Sequence, residues 1–230
     1  NEMPKQVRHD ITTKFMGQKI HPIAFRLGKF YTWDSRWFSV GGKRYQNMLL
    51  EDFKIRKDLG KKLKIAGLTK VEIERSINKL NIVLHVTRPG LVIGRGGTGL
   101  EDLKKYIMTK LLNIKGDEKN ALKVDLKIEA VKEPNLNAQF MAQTIAEQLG
   151  KRMMAKRVMN QAIEKIMASG AKGARVQLGG RVNGAEISRI EHIQKGILPL
   201  TTMRAKIDYA QVHAPTRSGY IGVKVWICLS

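Results

Sequence analysis

A glycine-rich segment in the first half of the chain has the residue types and spacing of an anion-binding loop. Residues 94–99 read Gly-Arg-Gly-Gly-Thr-Gly. Because glycine has no Cβ, such a loop lets a sugar–phosphate backbone approach the chain closely. Arg95 adds a positive charge, and the N-terminus of a helix that follows the loop offers free N–H donors to anionic oxygens. Phosphate binding is therefore the first chemistry that the sequence indicates.

Three interpretations of this loop compete. A dinucleotide-binding fingerprint needs a full strand before the loop and parallel βαβ units around it, but Pro89 and Gly90 leave only residues 91–93 for that strand. A flexible turn between helices is the plainest alternative. In a KH domain, a short helix, a G-x-x-G loop and a second helix clamp about four nucleotides. The segment from Pro89 to Ile93 fits the short helix, which favours the KH interpretation. Its loop residues would be Gly94, Arg95, Gly96 and Gly97.

A second set of polar and basic residues lies on a helix predicted over residues 153–169. At 3.6 residues per turn, Lys156, Arg157 and Asn160 fall on the side away from the apolar stripe. Basic residues in this position usually form a solvated face, so their spacing does not by itself separate RNA contact from ordinary surface. The predicted stripe consists of Met154, Val158, Ala162 and Ile166.

The charge of the chain favours a polyanionic partner. The 230 residues include 42 Lys+Arg against 20 Asp+Glu, a formal net charge of +22. Both halves are positive, since residues 135–230 alone carry 14 Lys+Arg against 5 Asp+Glu. Nucleic acid is the leading candidate, and an anionic membrane surface is the second. No apolar run approaches the roughly 20 residues that a membrane span needs.

Catalytic and metal sites are not predicted. Cys228 is the only cysteine, which excludes an internal disulfide and indicates a reducing compartment. The histidines have no spacing to each other, to cysteine or to paired acids that is typical of metal ligands. The expectation is therefore a protein without enzymatic activity, cofactor or metal. A nucleic-acid-processing enzyme and a free KH-containing RNA factor remain as alternatives. The five histidines are His9, His21, His85, His192 and His213.

The elements before the loop follow from periodicity. A helix is predicted from Tyr45 to about Ala66, and alternating apolar residues predict strands over 71–77 and 80–86. Pro89 and Gly90 end the second strand. The apolar side of the helix is predicted to hold Leu49, Phe53, Leu59 and Leu63.

The elements after the loop complete a recognisable order. A helix is predicted from about Gly99 to Leu112, with Thr98 and Glu101 at the spacing of a capping box, and a third strand over 122–128. The resulting order of helix, strand, strand, helix, loop, helix and strand is that of a prokaryotic, or type II, KH domain.

A domain boundary is predicted at Pro134 and Asn135. Two helices, over 136–149 and 153–169, and strands near 174–178, 203–209 and 221–227 follow. The fold class is therefore α+β, with an N-terminal type II KH domain and a C-terminal mixed α/β domain. The predicted organisation is a flexible extension over 1–15, an irregular segment over 16–42, the KH domain over 43–133 and the C-terminal domain over 134–230.

Short strings of residues, in one order over residues 16–228, resemble the uS3 family of small-subunit ribosomal proteins. One string alone would be weak, but the ordered set is specific. The strings are Met16-Gly17-Gln18-Lys19, Pro22, Arg26-Leu27-Gly28, Arg88-Pro89-Gly90, Val92-Ile93-Gly94, Gly180-Arg181, Gly184-Ala185-Glu186-Ile187, Pro199-Leu200, Arg204-Ala205, Ile207-Asp208-Tyr209 and Gly222-Val223-Lys224-Val225-Trp226-Ile227.

The resemblance implies a structural protein in the head of the small ribosomal subunit, in the cytoplasm or in an organelle. It implies rRNA, messenger RNA at the entry channel and neighbouring head proteins as partners. Lys156 and Arg157 match two basic positions that help such proteins to open structured messenger RNA, whereas Asn160 stands at the third. Other departures are His192, Gln194 and Ser218, which stand where the family has tryptophan, arginine and tyrosine. The expected rRNA-binding residues are Lys19, Arg26, Arg88, Arg181, Arg189 and Arg204.

Overall fold

The chain forms two four-stranded sheets, each with its own hydrophobic core. The computed structural model describes residues 19–76, 79–111 and 123–229. Outside these residues lie the extension predicted over 1–15 and the string Met16-Gly17-Gln18. The end of the helix predicted to Leu112 and the first residue of the strand predicted from 122 also lie outside them. The fold is α+β, as predicted.

The first sheet carries the elements predicted around the glycine loop. Its strand order is β1-β2-β3-β4, with β1 parallel to β2, β2 antiparallel to β3, and β3 parallel to β4. The alternation in β3 buries Leu80, Ile82, Leu84 and Val86, because successive side chains of a strand point to opposite faces. The elements are β1 (Ser35–Arg36), α1 (Gly42–Lys62), β2 (Leu68–Arg75), β3 (Lys79–Val86), α2 (Pro89–Ile93), α3 (Thr98–Tyr106) and β4 (Lys123–Ala130).

The apolar side predicted for α1 is wrong in its first half. Leu49 and Phe53 are 49% and 63% exposed, whereas Ile55 and Leu59 are fully buried. At about 100° per residue, Leu49 and Phe53 lie roughly a quarter to a third of a turn away from the buried face. The position that continues this face one turn earlier is Asp52, a polar residue that hydrophobic periodicity cannot identify.

Asp52 is buried because it has charged and polar partners. Both Asp52 and Arg75 have side chains only 4% exposed, and they form an ion pair in which Arg75 Nε lies 2.9 Å from Asp52 Oδ1. The indole N–H of Trp37 donates to the second carboxylate oxygen at 2.7 Å. A buried charge is tolerated only when it is paired and hydrogen-bonded. This network joins α1, β2 and the irregular segment before α1.

The second sheet has helices on one face only. Its order is β6-β5-β8-β7 with every neighbouring pair antiparallel. The two predicted helices are confirmed, and they pack their buried residues against the inward side chains of β5, β7 and β8. The opposite sheet face is partly covered, since Ile207 and Cys228, which lie on it, are 0% and 3% exposed. His21 and Phe25 line a cleft over the same face. The elements are α4 (Ala138–Gly150), α5 (Ala155–Ala168), β5 (Gly173–Gly180), β6 (Arg189–Gly196), β7 (Ile207–Thr216) and β8 (Gly219–Cys228).

Two strands differ from the prediction. Strand β6 was not expected, because it is an edge strand whose residues are mostly exposed and polar, which removes the alternating signal. The strand predicted over 203–209 begins at Ile207 and continues to Thr216. Its second half includes Gln211, His213 and Pro215, whose outward positions disguise a strand that is buried on one face only.

Candidate nucleic-acid interface

The backbone of the predicted loop has the conformation that only glycine adopts without strain. Gly94, Gly96 and Gly97 have φ values of 71°, 64° and 83°, in the left-handed region where a Cβ costs about 1–2 kcal/mol per residue. A Cβ added at Gly96 or Gly97 would meet no atom within 4 Å. Both glycines are therefore required for the shape of the loop and not for space inside the protein, and they leave its outer side open.

Close packing of α3 on α2 holds the loop in place. A Cβ at Gly99 would lie 2.6 Å from the carbonyl oxygen of Val92 and 3.1 Å from that of Ile93. Only glycine allows the first turn of α3 to approach the end of α2 so closely. Gly99 is a positioning residue that the sequence analysis did not single out. Gly99 is the last glycine of the G-x-G-x-x-G string. That string was considered only as a cofactor-binding motif, so the packing role of Gly99 was not predicted.

The capping box predicted for α3 does not form. The residue before the helix is Gly97, and no side chain caps the first turn. The hydroxyl of Thr98 instead donates to the carbonyl oxygen of Arg95 at 3.0 Å. Thr98 lies one position too far along the chain, because the loop already needs a left-handed glycine at the capping position. The first N–H groups of α3 are consequently not taken by a side chain.

The surface beside the loop combines charge with apolar groups. Arg95 in the loop and Arg88 just before α2 are exposed. On α2 itself, Leu91 is 59% exposed and Ile93 is also exposed, whereas Val92 is buried and anchors the helix. Cations and N–H donors suit phosphates, and exposed aliphatic side chains suit the faces of sugars and bases. The arrangement can therefore hold a nucleic-acid strand along the loop.

The three polar residues predicted to share one side of α5 are brought together there. Lys156, Arg157 and Asn160 are all exposed. The core-facing side of α5 is buried as predicted at Val158, Ala162 and Ile166, but Met154 is 69% exposed because it precedes the first turn of the helix. The helix start is capped by a residue distant in sequence, since the N–H of Ala155 donates to Oδ1 of Asn183 at 3.1 Å.

A cleft rich in arginine adjoins the start of α5. Its volume is about 430 Å³, and Arg152, Arg181 and Arg217 line it without any acidic residue. Arg181 remains exposed while its Nε donates to the carbonyl oxygen of Ala185 at 2.8 Å. Arg217 was missed by the sequence analysis, although the Thr-Arg-Ser-Gly string before β8 is typical of a hairpin turn. The basic surface of this domain is thus wider than the side chains of α5.

Arg26 has a structural role, contrary to the expectation that it contacts rRNA. It is 1% exposed. Its guanidinium nitrogens donate to five backbone carbonyl oxygens at 2.6–3.3 Å. These donors therefore fasten the segment before β1 to the loop before β7 and are not available to RNA. The acceptors are the carbonyls of Pro22, Pro199, Leu200, Thr202 and Ala205.

The remaining predicted rRNA contacts are on the surface. Lys19, Arg88 and Arg204 are exposed. Arg189 is also exposed, but its Nε lies 2.9 Å from Oε1 of Glu191, and this ion pair offsets part of its charge. Among these four residues, Arg189 therefore has the least charge to offer a phosphate.

Asp208 is a cap for α4, not part of an acidic site. Its carboxylate accepts from the backbone N–H of Ala138 at 2.7 Å and from its own neighbour Tyr209 at 2.9 Å. Desolvation raises the pKa of Asp208, and the two N–H donors oppose that shift. Within residues 19–76, 79–111 and 123–229, no three His, Cys, Asp or Glu side chains converge as metal ligands. In the same ranges no helix is long and apolar enough to cross a membrane.

The glycine loop between two helices, the first sheet and the basic surfaces together define a KH-type RNA-binding protein. A KH domain model matches residues 54–136, and a model of the ribosomal protein S3 C-terminal domain matches residues 145–227. Small ribosomal subunit protein uS3 of Lysinibacillus sphaericus is 44% identical over 212 residues, which cover 92% of this chain and 93% of that protein. The chain belongs to the uS3 family of ribosomal proteins, which are structural proteins and not enzymes.

Other relatives give the same result. The uS3 protein of Clostridioides difficile is 46% identical over 215 residues, covering 93% of this chain and 75% of that protein. The uS3 protein of Lactobacillus helveticus is 46% identical over 212 residues, covering 92% and 90%. The similarity therefore extends across both sheets and is not confined to the KH motif.

Proposed function

We propose that this constituent of the small ribosomal subunit binds ribosomal RNA in the subunit head and contacts messenger RNA where it enters the ribosome. The family assignment supports the small subunit. The observation that carries the messenger contact is the joint exposure of Lys156, Arg157 and Asn160 on α5 beside the arginine-rich cleft.

The glycine loop is the proposed rRNA contact of the first domain. Its left-handed glycines leave the outer side of the backbone open, and Arg95 projects from the same turn. Phosphate oxygens can therefore approach the free N–H groups at the start of α3, where the helix dipole also favours negative charge. Exposed Arg88 extends the positive surface to the other end of α2.

The basic side of α5 is the proposed messenger contact. A positive charge close to a strand stabilises its single-stranded backbone and so favours the opening of a duplex ahead of it. Translocation would supply the work, so this role needs no nucleotide hydrolysis by the chain. Asn160 lacks the charge of the family's third basic position, and we therefore expect a weaker effect than three cations would give.

Neighbouring head proteins are the third proposed partner. The apolar residues of α1 that face away from the core, Leu49, Leu50 and Phe53, are 49%, 50% and 63% exposed. Exposed apolar side chains that lie close together on one helix suit contact with another protein. We propose that these head proteins are those of the bacterial cytoplasmic ribosome, because the similar uS3 proteins come from bacteria.

The messenger role is tested with ribosomes that carry Lys156→Ala and Arg157→Ala together. They are expected to slow on messages with a stable hairpin and to keep pace on unstructured messages of the same length. Both positions are exposed on a regular helix, and alanine is a good helix former, so stability should change little. Circular dichroism and thermal unfolding of the purified protein check this point.

The matched control is Lys54→Ala with Lys61→Ala, which removes two exposed charges from α1 in the other domain. It is expected to leave the ratio of the two translation rates unchanged. Equal speed of the α5 variant on both templates would reject the messenger role and leave Lys156 and Arg157 as a solvated face.

A further inference from the structure

The face of the second sheet opposite α4 and α5 presents aligned side chains from all four strands. The strand register places one row of residues directly across the sheet and a second row beside it. The first row is Gln194, Arg175, Trp226 and Tyr209. The second row is His192, Gln177, Lys224 and Gln211. All eight side chains point away from α4 and α5, because their strand neighbours on both sides are the inward residues of the core.

The first row forms an aromatic platform with a cation beside it. The rings of Tyr209 and Trp226 have centroids 5.2 Å apart at an angle of 41°, and His21 meets the edge of Tyr209 at 4.8 Å. The guanidinium carbon of Arg175 lies 5.6 Å from the centre of the Trp226 ring. Trp226, Tyr209 and Arg175 are all partly buried, so neighbouring strands restrict their orientation while leaving part of each accessible.

The charge on this face has one sign. Its outward strand positions include Arg175 and Lys224 but no Asp or Glu. The acidic residues of these strands, Glu191 and Asp208, lie on the helix side, where they are engaged by Arg189 and by the N–H of Ala138. A face with cations and no acids complements a polyanion and would repel a basic protein.

The platform also lies in a cleft of suitable size. Residues of the segment from Lys19 to Arg26 and of the 198–201 loop form the walls of a cleft of about 1020 Å³ over Arg175, Tyr209 and Trp226. Cavities of roughly 300–1,000 Å³ accommodate small ligands of nucleotide size. Within the described part of the chain, Nε of Arg175 is buried and has no hydrogen-bond partner.

We propose that this face is a further RNA-binding surface, which holds unpaired nucleotides by stacking bases on Trp226 and Tyr209 while Arg175 and Lys224 contact the backbone. Aromatic residues on an open sheet stack bases of single-stranded RNA, and arginine adds a cation–π contribution. The surface is separate from the glycine loop and from α5. It rests on the proposed function only in requiring that the chain binds RNA.

The first test uses full-length protein with Trp33→Phe and Trp37→Phe, which leaves Trp226 as the only tryptophan. Circular dichroism checks that this protein is folded, because Trp37→Phe removes a hydrogen bond from buried Asp52. The probes are an oligouridylate of about eight nucleotides, within the usual site size for a single strand, and an abasic oligomer with the same phosphates. Stacking should quench the Trp226 emission. The oligouridylate should also bind at least about fivefold more tightly, since stacking contributes on the order of 1–3 kcal/mol per base.

The second test uses Trp226→Leu and Arg175→Gln. Both should lose the preference for the oligouridylate over the abasic oligomer. Lys195→Gln removes one exposed charge from the same sheet on its opposite face, since Lys195 pairs with inward Ala174, and it should keep the preference. If Trp226→Leu does not fold, Arg175→Gln and the quenching of intact Trp226 still decide the question.

A third arm separates this surface from the glycine loop. Protein with Gly96→Asp and Gly97→Asp should still show quenching of Trp226 by the oligouridylate, whatever happens to its binding of structured rRNA. Equal affinity for the two oligomers, unquenched emission, or a preference that survives Trp226→Leu would overturn the proposal. Equal affinity would point to phosphate contacts alone, and a preference that survives Trp226→Leu would place the base contacts on another surface.

Discussion

The glycine loop and the basic side of α5 are two proposed RNA-binding regions that are built on opposite principles. In the loop, the proposed binding depends on the shape and openness of the backbone, because Gly94, Gly96 and Gly97 have positive φ values. On α5 the backbone is a regular helix of 14 residues, and the proposed binding depends on the side chains of Lys156 and Arg157. The first region therefore depends on the absence of side chains, and the second depends on their presence.

This difference predicts how each region tolerates change. A left-handed backbone accepts few residues other than glycine. A single substitution in the loop should therefore remove most of its contribution to RNA binding. A helix face accepts many residues, so substitution there should act in steps of about one charge. Asn160 is an example, because it replaces a cation of the family pattern without disturbing the helix.

The largest effect is expected for Gly96→Asp with Gly97→Asp. Affinity of the full-length protein for structured rRNA fragments should fall on the order of a hundredfold, because two carboxylates would face phosphate at about 1–2 kcal/mol each. Added Cβ atoms meet nothing within 4 Å, and the backbone strain at the two positive-φ positions is confined to an exposed loop, so the domain should remain folded with reduced stability. Fluorescence anisotropy measures the binding, and circular dichroism measures the fold.

The control for the loop variant adds the same two charges elsewhere. Gly42→Asp with Gly60→Asp places carboxylates on α1, where an added Cβ also meets no atom within 4 Å. Its affinity should fall far less. Unchanged binding by a well-folded loop variant would remove the KH loop from the list of functional sites.

A smaller effect, on stability, is expected for Gly99→Ala. The new Cβ would clash with the carbonyl oxygen of Val92, so the free energy of unfolding should fall by about 1–3 kcal/mol. Gly60→Ala in α1, where space is free, should raise it by about 0.5–1 kcal/mol. Urea unfolding of both variants measures whether the free energy of unfolding falls or rises. A stable Gly99→Ala protein would show that loop geometry does not depend on the contact of α3 with α2.

The next effect concerns the salt dependence of binding. Protein with Lys156→Ala and Arg157→Ala should bind single-stranded RNA with a log–log salt slope lower by about 1.4, because each phosphate contact contributes roughly 0.7. The Lys54→Ala and Lys61→Ala control should keep the original slope. An unaltered slope in the α5 variant would mean that neither side chain contacts phosphate.

The smallest effect, of opposite sign, is expected for Asn160→Lys. One added charge on the exposed side of α5 should raise the slope by about 0.7 and tighten binding at moderate salt by about twofold. Part of the gain is offset because Lys156 lies four residues away, where like charges cost about 0.2–0.5 kcal/mol. Asn160→Gln is the uncharged control. If Gln and Lys act alike, length and not charge determines the contact.

Much of the fold around both regions could be predicted from the sequence. The short helix from Pro89, the glycine loop and the shared exposure of Lys156, Arg157 and Asn160 follow from signals within a few residues of each site. The predictions that failed concern residues whose environment is set by contacts distant in sequence. Leu49 and Phe53 were placed in the core because the position of the buried face of α1 is set by Asp52, which needs Arg75 from β2 to be buried.

The sequence by itself determined the net charge, the glycines that need left-handed backbone, and the amphipathic helices, because these depend on residue type and near neighbours. The tertiary structure alone decided which cations face solvent. Arg26 is buried because carbonyls up to 179 residues away accept its hydrogen bonds. It also decided that Trp226, Tyr209 and Arg175 meet on the sheet face opposite α4 and α5, since strand register joins residues that no local pattern relates.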